Sequence, residues 1–301
     1  MIFFHWINKS FNYLKLYFLL FNTLLKKECS FAPFVGEFGH LLSHFIPFVS
    51  YLHSKGVKVH VCAPQIHKVF FYDKIGNPIY ETFTPLRDFY SEVSPKCNMP
   101  IYPVDLHQKI NKYVNKKKKY VFWNILNHDL YWNGFCTWMY HNNLVKIYKH
   151  KGYSNFMKNI KPRVVLFARS KGSHSPVRGS DWDFNLLIDQ ISSYCSSINV
   201  LGHPAFSKNI KKKSNVNVLV GHGNEVILRE CCKADYIITQ LSGVHYLGLY
   251  CSSKILLLIK GKYDPSNIIK DTKYRKKLGD KLPMTLIDNK NKLIEILSSN
   301  E

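Results

Sequence analysis

Residues 238–261, "ITQLSGVHYLGLYCSSKILLLIKG", interrupt a buried apolar pattern with Ser242, Gly243 and His245 and then resume it at once. "DYIITQ" before the break reads as a buried strand, and "SGVHYLGLYC" after it as a helix. That order puts Ser242-Gly243 at the carboxyl edge of a parallel sheet and at a helix N-terminus. Such edges bind ligands, and their free N–H groups, with the helix dipole, favour phosphate. Gly243 would let the backbone come close to an anion. Ser242 could cap the helix or donate to a phosphate oxygen, and His245, one turn in, could donate as well. The same residues would equally suit a capped helix with no ligand.

The surrounding composition narrows the partners. The chain has 301 residues, 46% hydrophobic and 15% aromatic, enough for one large domain or two medium ones. Its formal charge of +22 invites a nucleic-acid partner, but the excess is mostly Lys spread along the chain, as in the bias of an AT-rich coding sequence. The denser runs, Lys116–Lys119 and Lys211–Lys213, fall in polar, loop-like segments. They read as a solvated face or as ground for an anionic membrane surface or substrate. No nucleic-acid-binding motif is present, and no nucleic-acid partner is expected. The eight cysteines (29, 62, 97, 136, 195, 231, 232, 251) form no CxxC and no metal spacing. They read as reduced core residues of a cytoplasmic protein.

The elements alternate as in α/β architecture. "SFAPF" reads as a strand and Gly36-Glu37-Phe38-Gly39 as a turn; apolar residues at 38, 41, 42, 45, 48, 49 and 52 then follow the helical period. Pro47 is expected to kink that helix and Gly56 to cap it, before the strand "VKVHVCAP". Tyr131 to Lys149 reads as a helix whose Trp132 and Trp138 belong to the core. From Pro162 the alternation resumes: strands "RVVLFARS", "INVLGHP", "VNVLVG", "DYIITQ" and "KILLLIKG", with helices "WDFNLLIDQISSYC", "NEVILRECCKA" and "NKLIEILSS". Two Rossmann-like domains facing a cleft are the simplest arrangement. The expected divisions are an N-terminal apolar extension over 1–27, a first domain over 28–155 and a second over 156–301. In the extension, Lys and aromatic residues interleave with Leu, and its longest uncharged run is too short to span a bilayer. It reads either as an interfacial helix or as one packed on the main domain.

The segment "ADYIITQLSGVHYLGLYCSSKILLLIKG" resembles that of heptosyltransferase-type GT-B glycosyltransferases, in which a strand ends in a Ser-Gly-x-x-His turn before an apolar helix. In that family the turn holds the diphosphate of the nucleotide-sugar donor. The resemblance therefore implies Ser242, Gly243, Val244 and His245 as donor contacts. "VVLFARSKGSHSPVRGSDWDF" is similar to the family's first C-terminal-domain strand and basic loop, which implies donor contacts for Arg169, Lys171 and Arg178. Cations there would offset the charge building on a departing nucleoside diphosphate. "FVGEFGHLLSHFIPFVSYLHSKGVKVHVCAP" resembles the family's first glycine-bearing turn, which places Glu37 as the general base for the acceptor hydroxyl.

Asp181-Trp182-Asp183 has the DxD form of metal-dependent GT-A enzymes, but it opens a helix, where Asp caps free N–H groups. A GT-B site relies on helix ends and cations, so neither a metal nor a cofactor beyond the donor substrate is expected. His40 and His44, four apart on the first helix, are candidates for a structural or acceptor-contacting role. The leading expectation is a glycosyltransferase moving a sugar from a nucleotide donor to a glycan or lipid-linked acceptor. It would be cytoplasmic, with a peripheral place on the membrane's cytoplasmic face as the companion expectation. The alternatives are a pyruvyl-transferase-like GT-B enzyme and a non-catalytic basic α/β protein holding an anionic polymer or membrane.

Overall fold

The computed structural model describes residues 14, 16–31, 33–34, 38–86, 136–150, 160–169, 182–204, 207–211, 213–240, 242–259 and 284–299. Glu37, Lys171 and Arg178 lie outside the described residues, as do Asp181, Trp132 and the expected boundary at 155/156. A helix over 16–26, α1, leads into a front unit built on a three-stranded parallel sheet, ordered β1-β2-β3: β1 Glu28–Ser30, β2 Lys58–Pro64 and β3 Thr82–Leu86. The helix between β1 and β2, α2, has three parts: Phe38–His40, a π turn at Leu41–Phe45, and Ile46–Ser54. Gly56 ends it in the left-handed region (φ 74°), with its N–H on His53 O and that of Val57 on Leu52 O. "SFAPF" forms less strand than its pattern suggests, yet Phe31 and Phe34 still donate to His60 O and Cys62 O along β2.

The rear sheet has six parallel strands: β4 Arg163–Phe167, β5 Ser197–Leu201, β6 Val216–Val218, β7 Tyr236–Gln240, β8 Lys254–Leu258 and β9 Met284–Ile287. Their spatial order is β6-β5-β4-β7-β8-β9. The chain thus lays strands outward from β4 on one side, returns to β7, and continues outward on the other.

Alternation along these strands feeds two cores. Val164, Leu166, Tyr236, Ile238, Leu256 and Leu258 pack beneath α4 (Phe184–Ile191) and α6 (Lys290–Ser298). Val165, Phe167, Ile237 and Ile255 point the other way. They join Leu228 and Cys231 of α5 (Asn224–Lys233) and, without interruption, the phenylalanines of the front unit. Asp183 caps α4, accepting from the N–H groups of Asn185 and Leu186 at 3.0 and 3.1 Å.

Two expected helices come out differently. Among the described residues, the pattern over 131–149 gives a helix, α3, at Cys136–His141. Asn143 turns left-handed (φ 54°) and Leu144 N–H closes the end on Met139 O, after which the chain runs on to donate from Lys146 to Pro47 O and from His150 to Tyr250 O. Trp138 is buried in the core. "SGVHYLGLYC" forms a 3₁₀ helix, Gly243–Leu249, rather than an α-helix. Its tighter coil presses Leu247 and Leu249 into the core shared with the front unit. No helix among the described residues is long and apolar enough to cross a membrane.

Candidate functional site

In an open parallel sheet, ligands sit beyond the carboxyl ends of the strands where the winding direction reverses. Here the reversal lies between β4 and β7, which are hydrogen-bonded neighbours with Phe167 opposite Thr239. Arg169 follows β4 and the Ser242-Gly243 turn follows β7, so they leave adjacent strands at the same edge, roughly 4.8 Å apart in the ladder direction. Arg169 is half-buried and its N–H bonds Phe167 O.

Three buried polar atoms at this edge have no hydrogen-bond partner among the described residues: Gln240 Nε2 at the end of β7, Ser242 Oγ in the turn, and Trp182 Nε1 just before α4. Gln240 is only 1% exposed. An amide NH₂ and an indole N–H only donate, and a hydroxyl can donate, so each calls for an acceptor oxygen. Orphaned donors of this kind are uncommon in folded proteins and ask for a reason.

The turn itself is braced by its own residues and by the front unit. Ser242 is extended (φ −161°, ψ 168°), and His245 folds back so that Nδ1 meets the Ser242 carbonyl; the ring is 7% exposed and lies 4.0 Å from that of Tyr246. The histidine follows the glycine by two positions, one fewer than the Ser-Gly-x-x-His pattern carries. Val244 is half-buried against the shared core.

Packing gives Gly243 a reason of its own to be small. A Cβ there would stand 2.6 Å from Gly39 N and 2.8 Å from Gly39 Cα, and one on Gly39 would stand 2.9 Å from Gly243 Cα. The two glycines let the front unit's first helix and the rear unit's turn touch backbone to backbone. A side chain at either position would push the two units apart.

Next to that contact, α2 departs from regular geometry, and the departure is fully satisfied. Ile46 N–H reaches back five residues to Leu41 O, leaving Leu42 O unused, and Pro47 has no N–H to offer Ser43 O. Tyr250 OH donates to Leu42 O at 2.6 Å, and Tyr140 OH donates to Ser43 O. Both tyrosines are 1% exposed, and Tyr250 comes from the rear unit. His40 and His44 do share a face, with ring centroids 5.4 Å apart. Ser43 Oγ gives its one proton to Gly39 O at 2.6 Å, so at its other contact His44 Nδ1 must be the donor. At 3% exposure His44 has no surface to offer an acceptor, whereas His40 is half-buried. Another cross-unit bond runs from Asn224 Nδ2 to His67 Nδ1 at 2.9 Å; burial pushes the His67 imidazole down to about 3.

Gln240, Gly39 and Tyr250 were not singled out in the sequence. A glutamine closing the apolar run "DYIITQ" was the available signal for the first; the other two are visible only once the units are placed together.

No protein-family model matches the chain, and no curated protein matches it in sequence. Solved structures do match its fold. The Escherichia coli ADP-heptose LPS heptosyltransferase II aligns with a TM-score of 0.52 at 10% identity, over 91% of this chain and 98% of that one. The chain shares the two-sheet α/β fold of that enzyme. E. coli heptosyltransferase WaaC with ADP-2-deoxy-2-fluoro heptose aligns with a TM-score of 0.51, again at 10% identity, over 91% of this chain and 99% of that one. Nearly the whole of both relatives is matched while nine residues in ten differ, so what is shared is the course of the backbone. Among the described residues no group of three His, Cys, Asp or Glu could hold a metal ion.

Proposed function

We propose that this chain is a glycosyltransferase that takes a sugar from a nucleotide-sugar donor and passes it to a glycan or lipid-linked acceptor at the cytoplasmic face of a membrane. One observation carries it. At the reversal point of the rear sheet, Arg169 and the Ser242 turn leave adjacent strands, and the buried donors Gln240 Nε2 and Ser242 Oγ have no partner among the described residues. A diphosphate supplies the acceptor oxygens and negative charge that such a place lacks. The fold supports the same reading. Of the two heptosyltransferases named above, one is an ADP-heptose enzyme and the other was solved with an ADP-sugar analogue, so an ADP-sugar is the first donor to try.

In this reading the bond between the sugar's C1 and the diphosphate oxygen breaks while the acceptor oxygen bonds to C1. Glu37 takes the acceptor's proton, and Arg169, Lys171 and Arg178 offset the charge on the leaving diphosphate. Glu37 precedes Phe38, whose carbonyl carbon lies 3.5 Å from where a Gly243 Cβ would be, so its sequence neighbour borders the turn. Neither a metal nor a further cofactor has a part in this scheme. His245, tied to the Ser242 carbonyl, contributes by holding the turn's shape.

The test is thermal stabilisation and hydrolysis across a panel of nucleoside diphosphates and nucleotide-sugars. Saturable stabilisation by one nucleoside diphosphate is expected. Arg169→Ala should weaken it about 10- to 100-fold, as for a lost bond to a charged group. Glu37→Gln should lower turnover by about 10²–10⁴ and leave donor affinity nearly intact. Binding confined to polyanions and steeply salt-dependent would replace this function with that of a basic binding protein.

A further inference from the structure

The helix α1 offers its two faces to different surroundings. Leu16, Leu20 and Thr23 are buried in the front unit's core, and Tyr17 is fixed at its edge, its ring 5.3 Å from Trp138 and its hydroxyl donating to Asn142 Oδ1 at 2.9 Å. The other face carries Leu14, Tyr17, Phe18, Phe21 and Leu25, with exposures between 48% and 73%. At 3.6 residues per turn these five side chains fall within an arc of roughly 100°, opposite the buried three. A stripe of five large apolar residues, three of them aromatic, is far more than scattered surface hydrophobes account for.

The border of the stripe is cationic. Lys26 and Lys27 end the helix exposed, and Lys55 and Lys58 are held beside them: Lys27 Nζ donates to Lys55 O at 2.9 Å, and Lys58 N–H donates to Lys27 O at 2.8 Å. We propose that this face of α1 docks on an anionic phospholipid bilayer. Phe18, Phe21 and Leu25 enter the headgroup–acyl boundary, and the four lysines meet the lipid phosphates. Charge decides between the possible occupants. A second copy would bring the same lysine border and the same net +22 against itself, whereas an anionic bilayer attracts both. The docking does not depend on the donor chemistry above; the two share only the expectation of an acceptor at a membrane.

Flotation of the full chain with phosphatidylcholine vesicles, with and without about one-third phosphatidylglycerol, tests this directly. Binding should require the anionic lipid and weaken with salt. Phe18→Ser/Phe21→Ser should reduce it about tenfold or more, and Lys26→Glu/Lys27→Glu should reduce it on anionic vesicles in particular. All four positions are exposed, so an unchanged melting temperature confirms that the variants fold. Absence of binding to anionic vesicles overturns the proposal, as does binding that neither double variant changes. So does a dimer that Phe18→Ser/Phe21→Ser converts to a monomer while vesicles stay unbound. Donor stabilisation measured on the same variants stays intact in every case if the catalytic site is sound, which keeps the two proposals separable.

Discussion

The rear sheet and the front unit reach buried stability by different routes. In the rear, six parallel strands satisfy one another along continuous ladders, and α4 and α6 cover the outer face with an ordinary apolar stripe. In the front, three strands support a helix whose middle is π-helical, and two of that helix's carbonyls depend on tyrosine hydroxyls from elsewhere, one of them on the rear unit's Tyr250. Bonds cross the seam both ways, the front unit's His150 N–H meeting Tyr250 O, yet the π turn borrows a buried partner from the rear unit. What is borrowed lies within the contact between Gly39 and Gly243, beside the turn where a donor diphosphate is proposed to sit. Irregular backbone that persists next to a candidate site has to be over-determined by its neighbours, and here the neighbours are the opposite unit.

The largest expected effect comes from forcing that contact apart. Gly243→Ala places a methyl group 2.6 Å from a backbone nitrogen, where no flexible side chain can yield, so the two units must separate or the turn must move. Overpacking of this kind costs about 1–3 kcal/mol, and backbone against backbone belongs at the upper end. Chemical unfolding should show the loss. Donor affinity should fall with it, because the turn shifts, while Gly56→Ala at the remote end of α2 should cost stability and leave donor affinity alone. Next comes Tyr250→Phe, which removes one oxygen and leaves Leu42 O buried and unpaired. It should destabilise by about 1–3 kcal/mol and loosen the front unit first. Hydrogen exchange in α2 rising before exchange in β4 and β7 would mark the front unit as the dependent one; a uniform rise would remove the distinction.

The contrast also sets how far sequence could lead. The rear strands are recognisable because parallel sheets bury both faces and leave apolar runs such as "VVLF", "YIIT" and "ILLL", and the site turn follows because Ser and Gly break such a run. The cap at Asp183 is equally local, a short acceptor one residue before an amphipathic stretch. The front unit is opaque for the same physical reason that it is dependent. The π turn at Leu41–Phe45 has no composition of its own, and Pro47 signals a disturbed helix without revealing a π turn before it. Asn143 cut short a helix that the apolar period over 131–149 would have continued, a single left-handed residue outweighing periodicity. The strand β9, "MTLI", is too short to stand out from its polar surroundings. Gly243 shows the limit most clearly, since its place in the chain was legible while the partner that requires it to be glycine, Gly39, stands 204 positions earlier in a different unit.

The effect most selective for the seam is the smallest near neutral pH and grows in acid. Asn224 at the start of α5 donates to His67 Nδ1, a bond only the neutral imidazole can accept, and the ring lies buried at 5.8 Å from Phe38. Burial holds its proton affinity down to about 3, against an ordinary value of 6.5 in the unfolded chain. Between those two values the unfolded state binds the proton and the folded state does not, so stability falls as pH drops from 6.5 toward 3, and above 6.5 the group adds no slope. One proton sets a limit of about 1.4 kcal/mol per pH unit. His150 is also held down by burial, partly offset by Asp73, and contributes its own acid sensitivity to both proteins compared. Unfolding curves at several pH values for the native chain and for His67→Gln should therefore run parallel above 6.5 and converge below it. Parallel curves throughout would mean that the front and rear units do not rely on this bond to stay joined.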